Sequence, residues 1–129
     1  MTPFSVLVVD DKPDTAQTTA DVLNLLGFQA RAAVTPLDAI REAAADPPNA
    51  VLLDLGLPGL SGYDLARHLR ETIPERPLLV AYTGRQGTES RARDAGFDLH
   101  ILKPADPVDL AELLRTEMGR RTGPAVEAS

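Results

Sequence analysis

Five short apolar segments alternate with five predicted helices along this 129-residue chain. The apolar segments lie within residues 5–10, 28–34, 49–54, 78–81 and 99–102. Each is closed by a turn signal and is short enough for a buried strand. Strands that alternate regularly with helices pair in parallel, because each helix carries the chain back across the sheet. The alternation therefore predicts an α/β protein whose parallel sheet is covered by helices on both faces.

Four of the predicted helices follow from apolar residues at helical spacing. They cover residues 14–26, 36–45, 62–72 and a last segment with Val108, Ala111, Leu114 and Met118. Thr35 and Pro36 are a typical N-cap and first residue for the second helix. Residues 85–94 are charged with little apolar periodicity. We therefore expect the fourth helix to be short, weakly docked and comparatively mobile.

The composition of the strands predicts their order in the sheet. The first, third and fourth strands contain runs that are wholly apolar, whereas the second carries Gln29 and Arg31 and the fifth carries His100. Apolar strands belong in the middle of a parallel sheet, where both faces are covered. The predicted fold is a flavodoxin-like doubly wound five-stranded parallel sheet of (βα)5 type, in the order 2-1-3-4-5. Ligands of such sheets bind at the carboxyl ends of the strands, beside the reversal between strands one and three.

Polar residues follow four of the five strands at that edge. Asp10 and Asp11 follow the first strand, Asp54 ends the third, Thr83 follows the fourth and Lys103 follows the fifth. Three carboxylates so close together would repel one another unless a cation lay between them. Oxygen ligands in small number suit Mg²⁺, which keeps several of its waters.

A carboxylate beside Mg²⁺ and an ammonium group can act as the nucleophile in phosphoryl transfer. With Mg²⁺ and Lys103 the three carboxylates would form a neutral pocket that can accept a phosphoryl group. Asp54 is the preferred acceptor, because its strand lies between the acidic pair and the strands of Thr83 and Lys103. Thr83 would then hydrogen-bond a phosphoryl oxygen.

Each of these residues also has an ordinary structural explanation. Asp11 or Asp14 could cap the first helix, Thr83 could belong to a turn, and Lys103 could be a solvated residue before a proline. The combination of these residues favours the functional interpretation. Four strand ends supply an acid pair, an acid, a hydroxyl and an amine in that order, which is improbable by chance.

The chain resembles the receiver domain of two-component response regulators over nearly all of its length. The resemblance rests on Asp10-Asp11, on Asp54 within LLDLGLPGLSG, on Thr83-Gly84 and on Lys103-Pro104. It implies that Asp10, Asp11, Asp54 and the backbone carbonyl of Gly56 hold Mg²⁺. It also implies that Asp54 takes a phosphoryl group from a histidine kinase or a histidine phosphotransfer protein. The LGLPGLSGYDLARHLR phrasing is similar to receivers attached to, or partnered with, hybrid sensor kinases.

The same resemblance implies how such a domain works. It would be a signalling phosphoacceptor rather than an enzyme, assisting its own phosphorylation and dephosphorylation, and acting as a monomer or weak dimer. Its output would pass to a protein partner through helix 4, strand 5 and helix 5. Thr83 would serve as a switch residue, with His100 in the place of the usual switch tyrosine or phenylalanine. Gly56 and Arg85 occupy positions that the family uses to tune phosphate lifetime.

Composition sets the remaining expectations. Residues 1–120 should form the receiver domain and residues 121–129 a flexible C-terminal tail, with no output domain after it. The formal net charge of −6 argues against direct binding to nucleic acid. The chain has no cysteine and no signal-type or membrane-spanning apolar run, so we expect it to be cytoplasmic.

Other proteins with this fold fit the sequence less well. An aspartyl-phosphate phosphatase needs a second acid two residues after its nucleophile, and that position is Gly56. A flavodoxin needs a phosphate-binding loop after the first strand, where this chain has two repelling carboxylates. The sequence does not exclude an adaptor protein whose site is inactive. Phosphorylation by a small-molecule donor would distinguish such an adaptor from a working receiver.

Overall fold

The computed structural model describes residues 4–56 and 61–122, and its five strands form one parallel sheet in the order β2-β1-β3-β4-β5. The order is the predicted one. The strands are β1 Ser5–Val9, β2 Gln29–Ala33, β3 Ala50–Leu53, β4 Leu78–Thr83 and β5 Leu99–Leu102. The helices are α1 Pro13–Leu25, α2 Pro36–Ala45, α3 Gly62–Thr72, α4 Glu89–Asp94 and α5 Pro107–Thr122.

The sheet divides the core into two layers because side chains alternate between its faces. Leu7, Val9, Val51 and Leu53 face the layer that contains α2, α3 and α4. Val6, Val8, Leu52 and Val80 face the layer that contains α1 and α5. Every residue of β3 is buried, whereas β2 and β5 are only partly covered at the two edges. Burial of each large aliphatic side chain contributes about 1.5–3 kcal/mol, so the apolar strands belong at the centre.

Side-chain caps mark the starts of α2 and α3. The Thr35 hydroxyl accepts a hydrogen bond from the Asp38 amide (3.0 Å), which confirms the predicted N-cap of α2. The Ser61 hydroxyl caps α3 in the same way. α1 starts at Pro13 after Lys12, so neither Asp11 nor Asp14 is its N-cap residue.

Some boundaries differ from the sequence prediction. β1 and β3 end one residue before Asp10 and Asp54. α4 begins at Glu89 rather than 85, because the chain first turns at Gly87, which has a positive φ of 76°. α5 continues to Thr122, two residues into the predicted tail, and residues 123–129 lie outside the described part. The Leu-Pro-Gly segment at residues 57–59, which follows the third apolar run, also lies outside it. In the two described segments, the helices are all too short or too polar to cross a membrane.

Candidate functional site

Asp10 is held by backbone pairing at the carboxyl end of β1. Its amide donates to the Ala33 carbonyl (3.1 Å), and its Oδ1 accepts from the Lys12 amide (3.0 Å). Its Oδ2 accepts from Lys103 Nζ (2.9 Å), and its side chain is only 5% exposed. Asp11 is exposed beside it. The two acids of the pair therefore differ, since one is buried and neutralised and the other faces solvent.

Asp54 lies one strand away at the same edge. Its amide donates to the Val9 carbonyl (3.0 Å), which continues the pairing of β1 with β3 by one residue. Its Oδ1 accepts from the Gly56 amide (2.9 Å), and its Oδ2 lies 3.6 Å from Lys103 Nζ. The Asp54 side chain is 18% exposed. This carboxylate is thus accessible from outside while a cation lies close to it.

The three carboxylates converge closely enough to share a metal ion. One oxygen each from Asp10, Asp11 and Asp54 lies within 4.8 Å of the others. A cluster of carboxylate oxygens suits a hard divalent cation, and the mutual repulsion of the acids gives such a cation a strong electrostatic reason to bind. The donor set therefore fits a divalent metal. Gly56 lies at the same edge, but its carbonyl as a ligand remains a prediction.

Lys103 joins the end of β5 to both carboxylates. Burial acts to lower the pKa of Lys103, but the hydrogen bond to Asp10 and the charges of Asp54 and Asp10 outweigh it. The pKa of Lys103 is therefore raised above its ordinary value of 10.5. Its ammonium also lies 5.0 Å from the centre of the Tyr82 ring, a favourable cation–π distance. Lys103 is thus a positive charge beside Asp10 and Asp54 at neutral pH.

Thr83 is almost completely buried at the end of β4. Its carbonyl accepts from the Lys103 amide (2.7 Å), so pairing of β4 with β5 positions both residues. Its hydroxyl oxygen accepts from the Arg85 amide (3.1 Å). Because a hydroxyl also carries one proton, Thr83 can still donate a hydrogen bond.

His100 lies on β5, where its ring meets the start of α4. Its Nε2 is 2.6 Å from the Thr88 hydroxyl oxygen. Together with Glu89 it lines two neighbouring surface cavities of about 250 and 440 Å³. No contact joins it to the acidic cluster within the described segments. The structure therefore brings Asp10, Asp11, Asp54 and Lys103 into one site and places His100 beside α4.

Comparison with known proteins decides the family. The family model of the response regulator receiver domain matches residues 6–115. The chain belongs to this family. Receiver domains of response regulators act in two-component signalling, and this domain carries the acidic cluster in the position that its fold predicts.

Relatives and solved structures agree with the assignment. The receiver is 34% identical over 120 residues to the transcriptional regulatory protein KdpE of Mycobacterium tuberculosis, covering 93% of this chain and 53% of that protein. The receiver thus spans about half the length of the curated relatives that it matches. A CheY-like receiver from Methanospirillum hungatei superposes with a TM-score of 0.84 at 25% identity, covering 92% of this chain and 96% of the other.

One solved structure is informative about metals. The receiver domain of the sensor histidine kinase PA1611 of Pseudomonas aeruginosa was crystallised with a magnesium ion in its active-site cleft. This receiver matches it with a TM-score of 0.80 and 26% identity, over 92% of this chain and 99% of the other.

Two residues at the receiver's site have contacts that the sequence did not predict. A Cβ added to Gly62 would lie 2.7 Å from the Leu55 Cα and 2.9 Å from the Asp54 carbonyl oxygen, so only glycine allows α3 to approach Asp54 so closely. The Arg85 guanidinium reaches within 3.9 Å of the corresponding Cβ position on Gly56. In the sequence, the close approach at Gly62 was indicated only by a glycine that directly follows a helix-capping serine. The contact of Arg85 with the Gly56 region depends on how β4 and β3 are packed.

Proposed function

We propose that this receiver accepts a phosphoryl group on Asp54 from a phosphohistidine, in a reaction that depends on Mg²⁺. The observation that carries the proposal is the convergence of three carboxylates within 4.8 Å, with Lys103 Nζ 2.9 Å from Asp10 and 3.6 Å from Asp54. Such a site combines a nucleophile with positive charge for the transferred group.

Asp54 is the acceptor because the other two carboxylates are less suited. Both oxygens of Asp10 already accept hydrogen bonds, and its side chain is almost fully buried. Asp11 is exposed to solvent on the loop, where water competes for its oxygens. Asp54 is more accessible than Asp10, and its Oδ2 has only the looser contact with Lys103. An incoming donor can therefore reach Asp54 Oδ2.

The reaction forms a bond from Asp54 Oδ2 to phosphorus and breaks the bond between phosphorus and the imidazole nitrogen of the donor. Lys103 would contact the transferred oxygens, and the Thr83 hydroxyl would donate its free proton to one of them. Asp10, Asp11, Asp54 and the Gly56 carbonyl would hold Mg²⁺. When bound, the metal offsets charge on the phosphoryl oxygens. The same groups would assist dephosphorylation, when water is the attacking group.

The partners follow from the same chemistry. The donor would be a histidine kinase or a histidine phosphotransfer protein, and the receiver would work in the cytoplasm as a monomer or weak dimer. Output would pass to a downstream protein through α4, β5 and α5, where Leu102 and Val108 are exposed. Thr83 and His100 would act as the switch residues. The net charge of −6 disfavours direct contact with nucleic acid.

Phosphorylation by a small-molecule donor tests the proposal. Incubation with phosphoramidate or acetyl phosphate and Mg²⁺ should add one alkali-labile phosphoryl group, detected by intact-mass spectrometry. The adduct should be absent in Asp54→Asn and present in the control Asp38→Asn, which changes an exposed carboxylate on α2. An adduct that persists in Asp54→Asn would place the acceptor at another residue.

A further inference from the structure

Thr88 is the N-cap residue of α4, but its side chain does not cap the helix. A threonine before a helix usually accepts a hydrogen bond from an amide of the first turn, as Thr35 does before α2. Thr88 makes no such bond in the part of the chain that the structure describes. Its hydroxyl instead lies 2.6 Å from His100 Nε2 and 3.3 Å from the Arg85 carbonyl oxygen. The Thr88 hydroxyl therefore contacts His100 and Arg85 instead of an amide of its own helix.

Counting protons gives these two contacts a direction. The Arg85 carbonyl can only accept, so its 3.3 Å contact is a hydrogen bond when the Thr88 hydroxyl donates its single proton to it. The short contact with His100 is then a hydrogen bond only if His100 Nε2 carries a proton and donates to the Thr88 oxygen. The arrangement in which both contacts are hydrogen bonds is a relay from His100 Nε2–H to the Thr88 hydroxyl and from there to the Arg85 carbonyl.

Arg85 connects this relay to the phosphoacceptor. Its amide donates to the Thr83 hydroxyl oxygen (3.1 Å), which leaves the Thr83 proton free to donate to another group. Its guanidinium lies beside Gly56, within 3.9 Å of where a Cβ would be. The Gly56 amide in turn donates to Asp54 Oδ1. Holding the backbone of Arg85 in place therefore holds the Thr83 hydroxyl at the edge of the sheet where Asp54 lies.

We propose that His100 and Thr88 are positioning residues for phosphoryl transfer, because their hydrogen-bonded relay fixes Arg85 and, through it, the Thr83 hydroxyl. The proposal rests on Asp54 being the phosphoacceptor. It assigns His100 a role in aligning the reacting groups before the phosphoryl group arrives, in addition to any change that it undergoes afterwards.

Two pairs of variants test the relay by its hydrogen bonds rather than by side-chain size. Thr88→Val removes the hydroxyl at nearly constant shape, whereas Thr88→Ser keeps it. His100→Phe removes the donor, whereas the amide of His100→Gln can donate from a position near Nε2. Thr116→Val, an exposed change on α5, is the control. The measurement is the rate of Asp54 phosphorylation by phosphoramidate with Mg²⁺, in variants whose denaturant unfolding confirms that they are folded.

We expect Thr88→Val and His100→Phe each to slow phosphorylation by about two- to tenfold, the effect of one lost neutral hydrogen bond. Their double variant should be little slower than either single one, since both break the same relay. Thr88→Ser, His100→Gln and Thr116→Val should stay close to the parent rate. A parent-like rate in Thr88→Val would overturn the proposal.

An NMR measurement decides the relay even if the phosphoacceptor proposal fails. The parent chain without a phosphoryl donor should show the His100 ring proton on Nε2 in a long-range ¹H–¹⁵N spectrum. A ring protonated only on Nδ1 would exclude the relay. Absence of any adduct in the parent would instead overturn the assignment of Asp54.

Discussion

Lys103 Nζ donates a hydrogen bond of 2.9 Å to Oδ2 of Asp10, a residue 93 positions earlier in the chain. The Asp10 side chain is 5% exposed and that of Lys103 is 23% exposed. A carboxylate so well buried needs a partner charge, because removing one member of a buried pair leaves an uncompensated charge. The ammonium that we propose for phosphoryl transfer therefore also stabilises the folded domain before any metal binds.

This pair predicts how stability depends on pH in the absence of metal. The pKa of Lys103 is raised in the folded state, so its contribution is complete below the ordinary pKa of 10.5 and is lost as the pH rises through the folded-state pKa. The difference in unfolding free energy between the parent and Lys103→Met should be largest near neutral pH and should narrow in alkaline solution. Urea unfolding across this range measures it. Lys12→Met, at an exposed site, is the control. A difference in unfolding free energy between the parent and Lys103→Met that stays constant with pH would contradict the prediction.

Mg²⁺ should stabilise the parent chain against heat. A ligand that binds only the folded state raises stability by mass action, by about 2.7 kcal/mol at a hundred times its dissociation constant. The rise in Tm with Mg²⁺ should be much smaller in Asp11→Ala, which removes an exposed carboxylate of the acidic cluster without disturbing the core. Asp14→Ala removes another exposed acid, on α1, and should respond as the parent does. An undiminished rise in Asp11→Ala would exclude the acidic cluster as the metal site.

Gly62→Ala should destabilise the domain through a steric clash. The added Cβ would lie 2.7 Å and 2.9 Å from two backbone atoms, which cannot move aside as a flexible side chain can. Overpacking of this kind costs about 1–3 kcal/mol. Gly119→Ala meets no atom within 4 Å and lies inside α5, so it should be neutral or stabilising by up to about 1 kcal/mol. Equal unfolding free energies for the two variants would show that α3 can shift away from Asp54.

Asp98→Ala should loosen the attachment of the loop between α4 and β5 to β4 and α3. Its Oδ2 accepts from the buried Leu79 amide (2.8 Å) and from Arg70 (3.1 Å), so the change leaves both donors without this partner. A loss of about 1–3 kcal/mol is expected from denaturant unfolding. Arg67→Ala breaks an exposed ion pair on α3 and should cost less than about 0.5 kcal/mol. A smaller loss for Asp98→Ala than for Arg67→Ala would contradict this role.

The fold could be predicted because its signals are local. The apolar runs of β1, β3 and β4 identify the central strands, and Gln29, Arg31 and His100 identify the edges. Capping by Thr35 depends on residues three positions apart, and such contacts form whatever the rest of the chain does. The length of α4 was less predictable, since its few turns lack a strong apolar pattern and its N-cap hydroxyl is bound elsewhere.

The sequence by itself determined which strand ends carry Asp10, Asp54, Thr83 and Lys103, because parallel strands bring their carboxyl ends to one edge of the sheet. Only the tertiary structure decided which of these groups touch. That Lys103 lies closer to Asp10 than to Asp54, and that Thr88 bonds His100 instead of its own helix, depends on sheet twist and on how the loops pack. Those distances join residues that are far apart in the chain, so no local pattern specifies them.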